Sequence, residues 1–109
     1  MQVVIDGKID QTVILAEDVV EKLRLPRISG QNLILPFETT YAAGLLQNAP
    51  NFFYGPTPDT LGHSGWGGSC VFADPITGIY GAYVMNVQNS DLLGDVRPRR
   101  IIDALYECL

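Results

Sequence analysis

The residues best suited to chemistry lie in one short glycine-rich segment, residues 62–68, which reads Gly-His-Ser-Gly-Trp-Gly-Gly. It contains the single histidine, the single tryptophan and four of the 11 glycines of the chain. Glycines let backbone N–H groups approach a ligand closely, as an oxyanion site requires, and His63 and Ser64 carry groups that exchange protons. Trp66 is suited to the wall of a pocket. On residue types alone, a tight turn between strands with a surface histidine is the simpler interpretation, because no third group orients His63.

Two familiar glycine patterns do not fit this segment. The nucleophile elbow G-x-S-x-G fails because Trp66 stands where its last glycine belongs. The dinucleotide-binding pattern G-x-G-x-x-G precedes a helix, whereas Gly65-Trp66-Gly67 leads into a segment that we predict to be a strand. The spacing therefore indicates neither kind of site.

The composition and charge of the chain exclude several classes of partner. Its 109 residues include 12 acidic and 7 basic ones, a formal net charge of -5, and 47% apolar residues, which excludes disorder. No lysine or arginine lies between Arg27 and Arg97, so we expect no nucleic-acid partner and no anionic membrane partner. No apolar run approaches the roughly 20 residues of a spanning helix. The N-terminus holds Asp6, Lys8 and Asp10 where a signal peptide would be apolar.

The two cysteines, Cys70 and Cys108, form neither a disulfide framework nor, without paired histidines, a zinc site. We expect both to be buried thiols, since free cysteine packs as a small apolar residue. No ligand set for a metal or an organic cofactor is evident, and we expect none. Reduced cysteines and the lack of a signal peptide favour the cytoplasm.

Apolar spacing predicts a helix near each end of a single domain. In residues 15–25 the apolar positions recur at helical spacing, and Pro26 ends the helix. In residues 97–109 Pro98 fits the first turn. The apolar stripe predicted for this second helix consists of Ile101, Ile102, Leu105 and Leu109.

Between the helices the sequence predicts strands. After an irregular stretch at 29–36, residues 39–47 offer β-branched and aromatic residues over the length of a strand, and residues 48–58 form a loop. Residues 69–73 and 79–87 form an antiparallel hairpin around the turn at 74–78. The fold class is therefore α+β, an antiparallel sheet flanked by helices, with one face covered by the C-terminal helix.

A longer pattern around the glycine-rich segment resembles a known family. Residues 61–69 (LGHSGWGGS) are followed by Ala-Asp-Pro at 73–75, by Gly78, and by YVMN at 83–86. This order is similar to the C-terminal part of the β-lactamase-related serine hydrolases, which include class C β-lactamases, penicillin-binding proteins and family VIII esterases. The resemblance covers nearly the entire chain and implies the C-terminal part of a β-lactamase/transpeptidase-like fold.

The resemblance implies catalytic roles for four residues. His63, Ser64 and Gly65 would form the family's third motif, often K-T-G and often H-S-G in esterase-like members, on a strand that faces the nucleophile. His63 would hold the position of the motif's cation, and Ser64 that of its hydroxyl, which orients the substrate and the proton network. Trp66 would supply one backbone N–H of the oxyanion hole, whether or not its side chain packs. Tyr41 is interpreted as a core residue.

The family's other catalytic motifs are not found in this sequence. The nucleophile of the family lies in S-x-x-K, and a relay phenol in Y-x-N. No serine here has a lysine three residues on, and none of four tyrosines begins Y-x-N: Tyr41, Tyr54, Tyr80 and Tyr83. We therefore interpret residues 1–109 as a single incomplete domain that alone does not turn over esters or β-lactams. A small-molecule ester or amide substrate, which histidine in place of lysine favours, would require the N-terminal part.

Two functions stay open at this point. The chain is either the C-terminal segment of a serine hydrolase, an esterase or amidase acting through an acyl-enzyme, or a non-catalytic truncated paralogue that acts as an oligomerising interaction module. A sheet without its neighbouring strands has unpaired edges that recruit other chains. We therefore expect self-association through edge pairing or domain swapping.

Overall fold

The first quarter of the chain forms a small helical unit. In the computed structural model, which describes residues 1–109, it consists of helix α1 (Gln2–Asp6), a hairpin of β1 (Lys8–Ile9) and β2 (Thr12–Val13), and helix α2 (Glu17–Arg24). The Arg24 guanidinium donates to the carbonyls of Val4 and Ile5 and so joins the two helices. The helix predicted over residues 15–25 is confirmed as α2.

The remainder builds a six-stranded antiparallel sheet and a final helix. Each strand pairs with the next one along the chain, so the first and last strands are the two edges of the sheet. The helix α3 (Val96–Glu107) follows the sheet. In order, the strands are β3 (Ile28–Gln31), β4 (Glu38–Tyr41), β5 (Leu46–Gln47), β6 (Leu61–Ser64), β7 (Cys70–Ala73) and β8 (Tyr80–Tyr83). The predicted α+β class, an antiparallel sheet flanked by helices, is therefore confirmed.

Strand alternation gives the sheet two different faces. Gly62 lies opposite Phe72, and Ser64 lies opposite Cys70, on the face that carries the core. Ile102 of α3 belongs to the same core cluster, so the C-terminal helix covers this face. The helix α1 lies against β7. The core cluster consists of Leu46, Tyr54, Cys70, Phe72 and Ile102, and the predicted core residue Tyr41 packs against it.

The strand predictions are confirmed for the hairpin and corrected elsewhere. β7 and β8 pair antiparallel as predicted, although β8 ends at Tyr83 rather than at residue 87. The stretch at 29–36, predicted to be irregular, contains most of β3, which pairs with β4 along its whole length. The single strand predicted over 39–47 is two strands, because residues 42–45 form a tight turn in which Gly44 adopts φ +81°. A tight turn of this kind does not change the strand-like composition of the segment, so composition does not reveal it.

The C-terminal helix buries a different stripe from the predicted one. Pro98 and Ile102 are buried, and the Tyr106 hydroxyl donates to the buried Asp74 carboxylate at 2.6 Å. Ile101, Leu105 and Leu109 are exposed, so only Ile102 of the predicted stripe reaches the core. The buried face of α3 is therefore the one that carries Ile102 and Tyr106. The spacing of apolar residues does not reveal the polar contact between Tyr106 and Asp74.

The two cysteines differ in environment. Cys70, in β7, is buried as predicted, and burial raises the pKa of its thiol. Cys108 is exposed, which corrects the prediction that both thiols are buried. The reason is its position at the end of α3, beyond the last residue that packs on the sheet.

We expect Ile102→Ala and Ile101→Ala to differ sharply in stability, although they remove the same atoms from adjacent positions of α3. Ile102 is 3% exposed and Ile101 is 58% exposed. The cavity left by Ile102→Ala should lower the free energy of unfolding by about 2–5 kcal/mol, whereas Ile101→Ala should change it by less than about 0.5 kcal/mol. Urea unfolding followed by circular dichroism measures both. Equal losses in the two variants would contradict the assigned buried face.

Candidate active site

Strand β6 presents His63 and Ser64 on opposite faces of the sheet. The His63 side chain is exposed and lines a shallow groove of about 300 Å³ together with residues of β7 and β8, including Val71 and Ala82. The Ser64 hydroxyl lies on the core side, where it is hydrogen-bonded to the Tyr54 hydroxyl at 2.8 Å. Since successive side chains of a strand alternate, His63 and Ser64 do not contact each other as a base and a nucleophile would.

The Ser64 hydroxyl is hydrogen-bonded to a buried tyrosine on the core side of the sheet. Tyr54 is 1% exposed, and burial raises its pKa to about 12 despite the hydrogen bond to Ser64, so the phenol is neutral at physiological pH. A Cβ at Gly62 would lie 2.5 Å from the Tyr54 ring, so only glycine fits beside it. The buried Asn48 fixes the loop that carries Tyr54: its side-chain oxygen accepts from Tyr54 N, and its amide donates to Gly55 O, both at 2.8 Å.

The turn after β6 leaves the backbone N–H of Trp66 free. Gly65 N donates to Ser69 O at 2.8 Å, and Gly68 N donates to Gly65 O at 3.3 Å, which closes a tight turn. The Trp66 N–H between them donates to no acceptor within the chain. Its indole is 73% exposed, so the side chain does not pack against the fold. A fixed and unpaired N–H is the kind of group that stabilises a developing oxyanion.

An ion pair between the buried Asp95 carboxylate and the partly exposed Arg97 guanidinium supports the same turn from the start of α3. The Asp95 carboxylate caps the helix by accepting from Arg97 N at 2.8 Å, and it accepts from the Arg97 guanidinium at 2.6 Å. These contacts lower the pKa of Asp95 to about 2. The guanidinium also donates to Gly67 O at 2.9 Å and to Val87 O at 2.6 Å. The ion pair therefore joins the turn after β6, the segment after β8 and the first turn of α3.

The structure brings the four sequence-predicted site residues to one end of β6, with His63 facing away from Ser64. Sequence reasoning missed the supporting residues, which are Asn48, Tyr54, Asp95 and Arg97. An aspartate directly before a helix is a capping signal that could have identified Asp95. The contacts of Asn48, Tyr54 and Arg97 join distant parts of the chain, and no local pattern reveals them.

Neither a metal cluster nor a membrane-spanning helix is found in the structure. No group of three or more histidine, cysteine, aspartate or glutamate side chains is arranged to bind a metal ion. No helix has the length and hydrophobicity needed to cross a bilayer.

Comparison with known proteins places this arrangement in a family. The β-lactamase family profile matches residues 1–106. The chain belongs to the β-lactamase family. This confirms the resemblance drawn from the H-S-G segment and the residues that follow it, and it supports membership of a serine hydrolase family. A search of the curated proteins found no match.

Two crystal structures show the same fold over the whole of this chain. A penicillin-binding protein homologue from Caulobacter crescentus is 44% identical, with a TM-score of 0.95. A family VIII carboxylesterase is 30% identical, with a TM-score of 0.91. Each comparison covers 99% of this chain and 29% of the other chain. This member of the β-lactamase family therefore spans less than a third of the length of the structures that it matches.

We expect this β-lactamase family chain to lose stability in acid. The pKa of Asp95 is about 2 in the folded state and about 3.9 in an unfolded chain, so its stabilising contribution is present above the unfolded value and is lost as pH falls to about 2. Burial raises the pKa of Asp74, but hydrogen bonds, first from Tyr106, outweigh it, so its pKa is also lowered and acts in the same direction.

Urea unfolding at several values between about pH 5 and about pH 2 measures this loss. Asp95→Asn should show a shallower dependence on pH than the unmodified chain. Asp103→Asn, which removes a carboxylate from an exposed position of α3, is the matched control and should keep the original dependence. Identical curves for Asp95→Asn and the unmodified chain would contradict the assignment.

Proposed function

We propose that residues 1–109 form the C-terminal wall of the active site of a serine hydrolase that cleaves esters or amides through an acyl-enzyme. The observation that carries the proposal is the unpaired Trp66 N–H, which directly follows the His63-Ser64-Gly65 motif. Likeness to a family VIII carboxylesterase supports an ester as the substrate.

Each group of this wall has a distinct task in the proposed reaction. When a serine attacks the carbonyl carbon, negative charge develops on the carbonyl oxygen, and the Trp66 N–H donates to that oxygen. The Ser64 hydroxyl, held by Tyr54, orients the substrate and its proton transfers. His63 occupies the position of the motif's cation and borders the groove beside β6. The attacking serine, in an S-x-x-K motif, comes from residues outside these 109, since no serine here has that spacing.

The proposal is tested with a fluorophosphonate probe and intact mass measurement. The 109-residue chain alone should form no adduct, folded or denatured, because Ser64 has no base within contact. A chimera in which these residues replace the matched 29% of the carboxylesterase should be labelled at the nucleophile of the carboxylesterase and should hydrolyse a p-nitrophenyl ester. An adduct on Ser64 that requires the folded chain would overturn the proposal, as would a chimera with native circular dichroism and no hydrolysis.

Ser64→Ala and Ser90→Ala form a matched pair within this chimera. Removing the Ser64 hydroxyl should lower kcat/KM by about 100-fold, the size expected for loss of a group that assists proton transfer. Ser90 lies in an exposed loop, and Ser90→Ala should leave kcat/KM unchanged. A chimera that keeps full activity with Ser64→Ala would contradict the role of Ser64.

The open edges of the sheet support a second candidate, an interaction module that self-associates. All four residues of β3 are exposed, and residues 28–37 contain no charged side chain. Leu33 and Ile34, at the tip beyond β3, are almost fully exposed. Natural proteins protect edge strands with charges or proline, and an edge strand without charges favours pairing with a second copy.

Sedimentation velocity tests this candidate. At about micromolar concentration we expect a dimer or a larger species, because β3 of one copy can extend the sheet of another. Ile28→Lys, which places a charge on the edge strand, should shift the distribution toward monomer. Val13→Lys changes an equally exposed apolar residue of the small hairpin and is the control. A monomeric unmodified chain would contradict self-association.

A further inference from the structure

We infer that Arg97 is a positioning residue for the oxyanion donor: held by Asp95, it fixes the turn that presents the Trp66 N–H. The inference rests on the proposed function for the role of that N–H, whereas the contacts of Arg97 do not depend on it. Arg97 lies 32 residues after Gly65, the last residue of the motif, and approaches the motif only in the folded chain.

The Gly67 carbonyl is the point at which the turn is held. It accepts from Arg97 Nη2 at 2.9 Å and from Asn89 N at 3.0 Å, so both of its lone pairs are occupied. Gly65, on the other side of Trp66, donates to Ser69 O at 2.8 Å. The peptide that carries the Trp66 N–H therefore lies between two residues held by hydrogen bonds, which restricts its movement.

The second arm of the guanidinium holds the segment that follows β8. Arg97 Nη1 donates to Val87 O at 2.6 Å, in the segment that follows β8. The planar guanidinium thus holds carbonyls from two separate segments. The backbone N–H of Arg97 donates to the Asp95 carboxylate that caps α3. Holding both carbonyls requires the fork geometry of arginine, because lysine has a single charged nitrogen at the end of a flexible chain.

Asp95 sets the orientation of that fork. Its two carboxylate oxygens accept from Arg97 Nε at 3.0 Å and from Nη2 at 2.6 Å, and Asn89 Nδ2 donates to it at 3.4 Å. The packing against the turn leaves no space for a side chain. A Cβ at Gly68 would lie 2.4 Å from both Arg97 Nη2 and Asp95 Oδ2, and Gly68 adopts φ +115°.

Amide hydrogen exchange of the 109-residue chain, resolved by NMR, tests the positioning role. In Arg97→Lys we expect the Gly65 and Gly68 amides to exchange about tenfold faster, because the turn opens locally, while amides in the centre of β7 keep their rates. Arg100→Lys changes an exposed arginine one turn along the same helix and should leave all these rates unchanged. Guanidinium added to Arg97→Ala should restore slow exchange. Unchanged turn amides in Arg97→Lys would overturn the inference.

If the Arg97 variants unfold globally, a second variant still tests the inference by amide hydrogen exchange. Asp95→Asn keeps a side chain that can cap α3 but removes the charge and one of the two acceptor oxygens that face Arg97, and it should speed exchange of the turn amides by about threefold. Equal exchange rates in Asp95→Asn and the unmodified chain would contradict the role of the pair.

Kinetics in the carboxylesterase chimera provide a readout that a purely structural role would not move. Arg97→Lys should lower kcat by about 100-fold with little change in KM, since an oxyanion donor acts in the transition state. A rise in KM alone, or faster exchange of the turn with unchanged kcat, would overturn the inference. If the chimera is folded but no form of it is active, the proposed function fails, and the exchange experiment still decides whether Arg97 positions the turn.

Discussion

The ion pair between Asp95, whose carboxylate is buried, and Arg97, whose side chain is 32% exposed, is the constraint on which the arrangement of the site depends. The Asp95 carboxylate caps α3, and the Arg97 guanidinium donates to a carbonyl of the segment after β8 and to a carbonyl of the turn that follows β6. A carboxylate buried as Asp95 is costs free energy unless its hydrogen bonds are complete. Here the remaining donors of the guanidinium reach main-chain carbonyls, so the groups that satisfy the pair are the same groups that the site needs in fixed positions.

The core face of the sheet serves the site in a similar way. Tyr54 belongs to the hydrophobic core by its ring and to the site by its hydroxyl, which meets Ser64. The side chain of Asn48 bonds to the backbone of Tyr54 and Gly55 in the loop before β6, and the Tyr54 ring packs against Gly62. Packing and site geometry are therefore coupled, because a shift of the ring would move both the strand and the hydroxyl of Ser64.

The parts predictable from the sequence are those with local causes. The hairpin around residues 74–78 and the start of α3 follow from turn and capping residues that are adjacent in the chain. The prediction of the buried face of α3 was wrong because that face includes Tyr106, whose hydroxyl donates to Asp74, and a contact between residues 32 positions apart leaves no local pattern in the sequence. The H-S-G segment could be identified through resemblance, but the support that Tyr54 and Arg97 give it could not, since those contacts form only in the folded chain.

The exposed indole of Trp66 also determines what the intrinsic fluorescence of this protein reports. It is the only tryptophan and lies at the tip of the site turn rather than in the core. Tryptophan emission, which ordinarily reports the melting of a hydrophobic interior, here reports the solvent around one surface loop. The native protein therefore already has the emission of a hydrated indole, and a shift to shorter wavelength signals that another molecule has covered the turn.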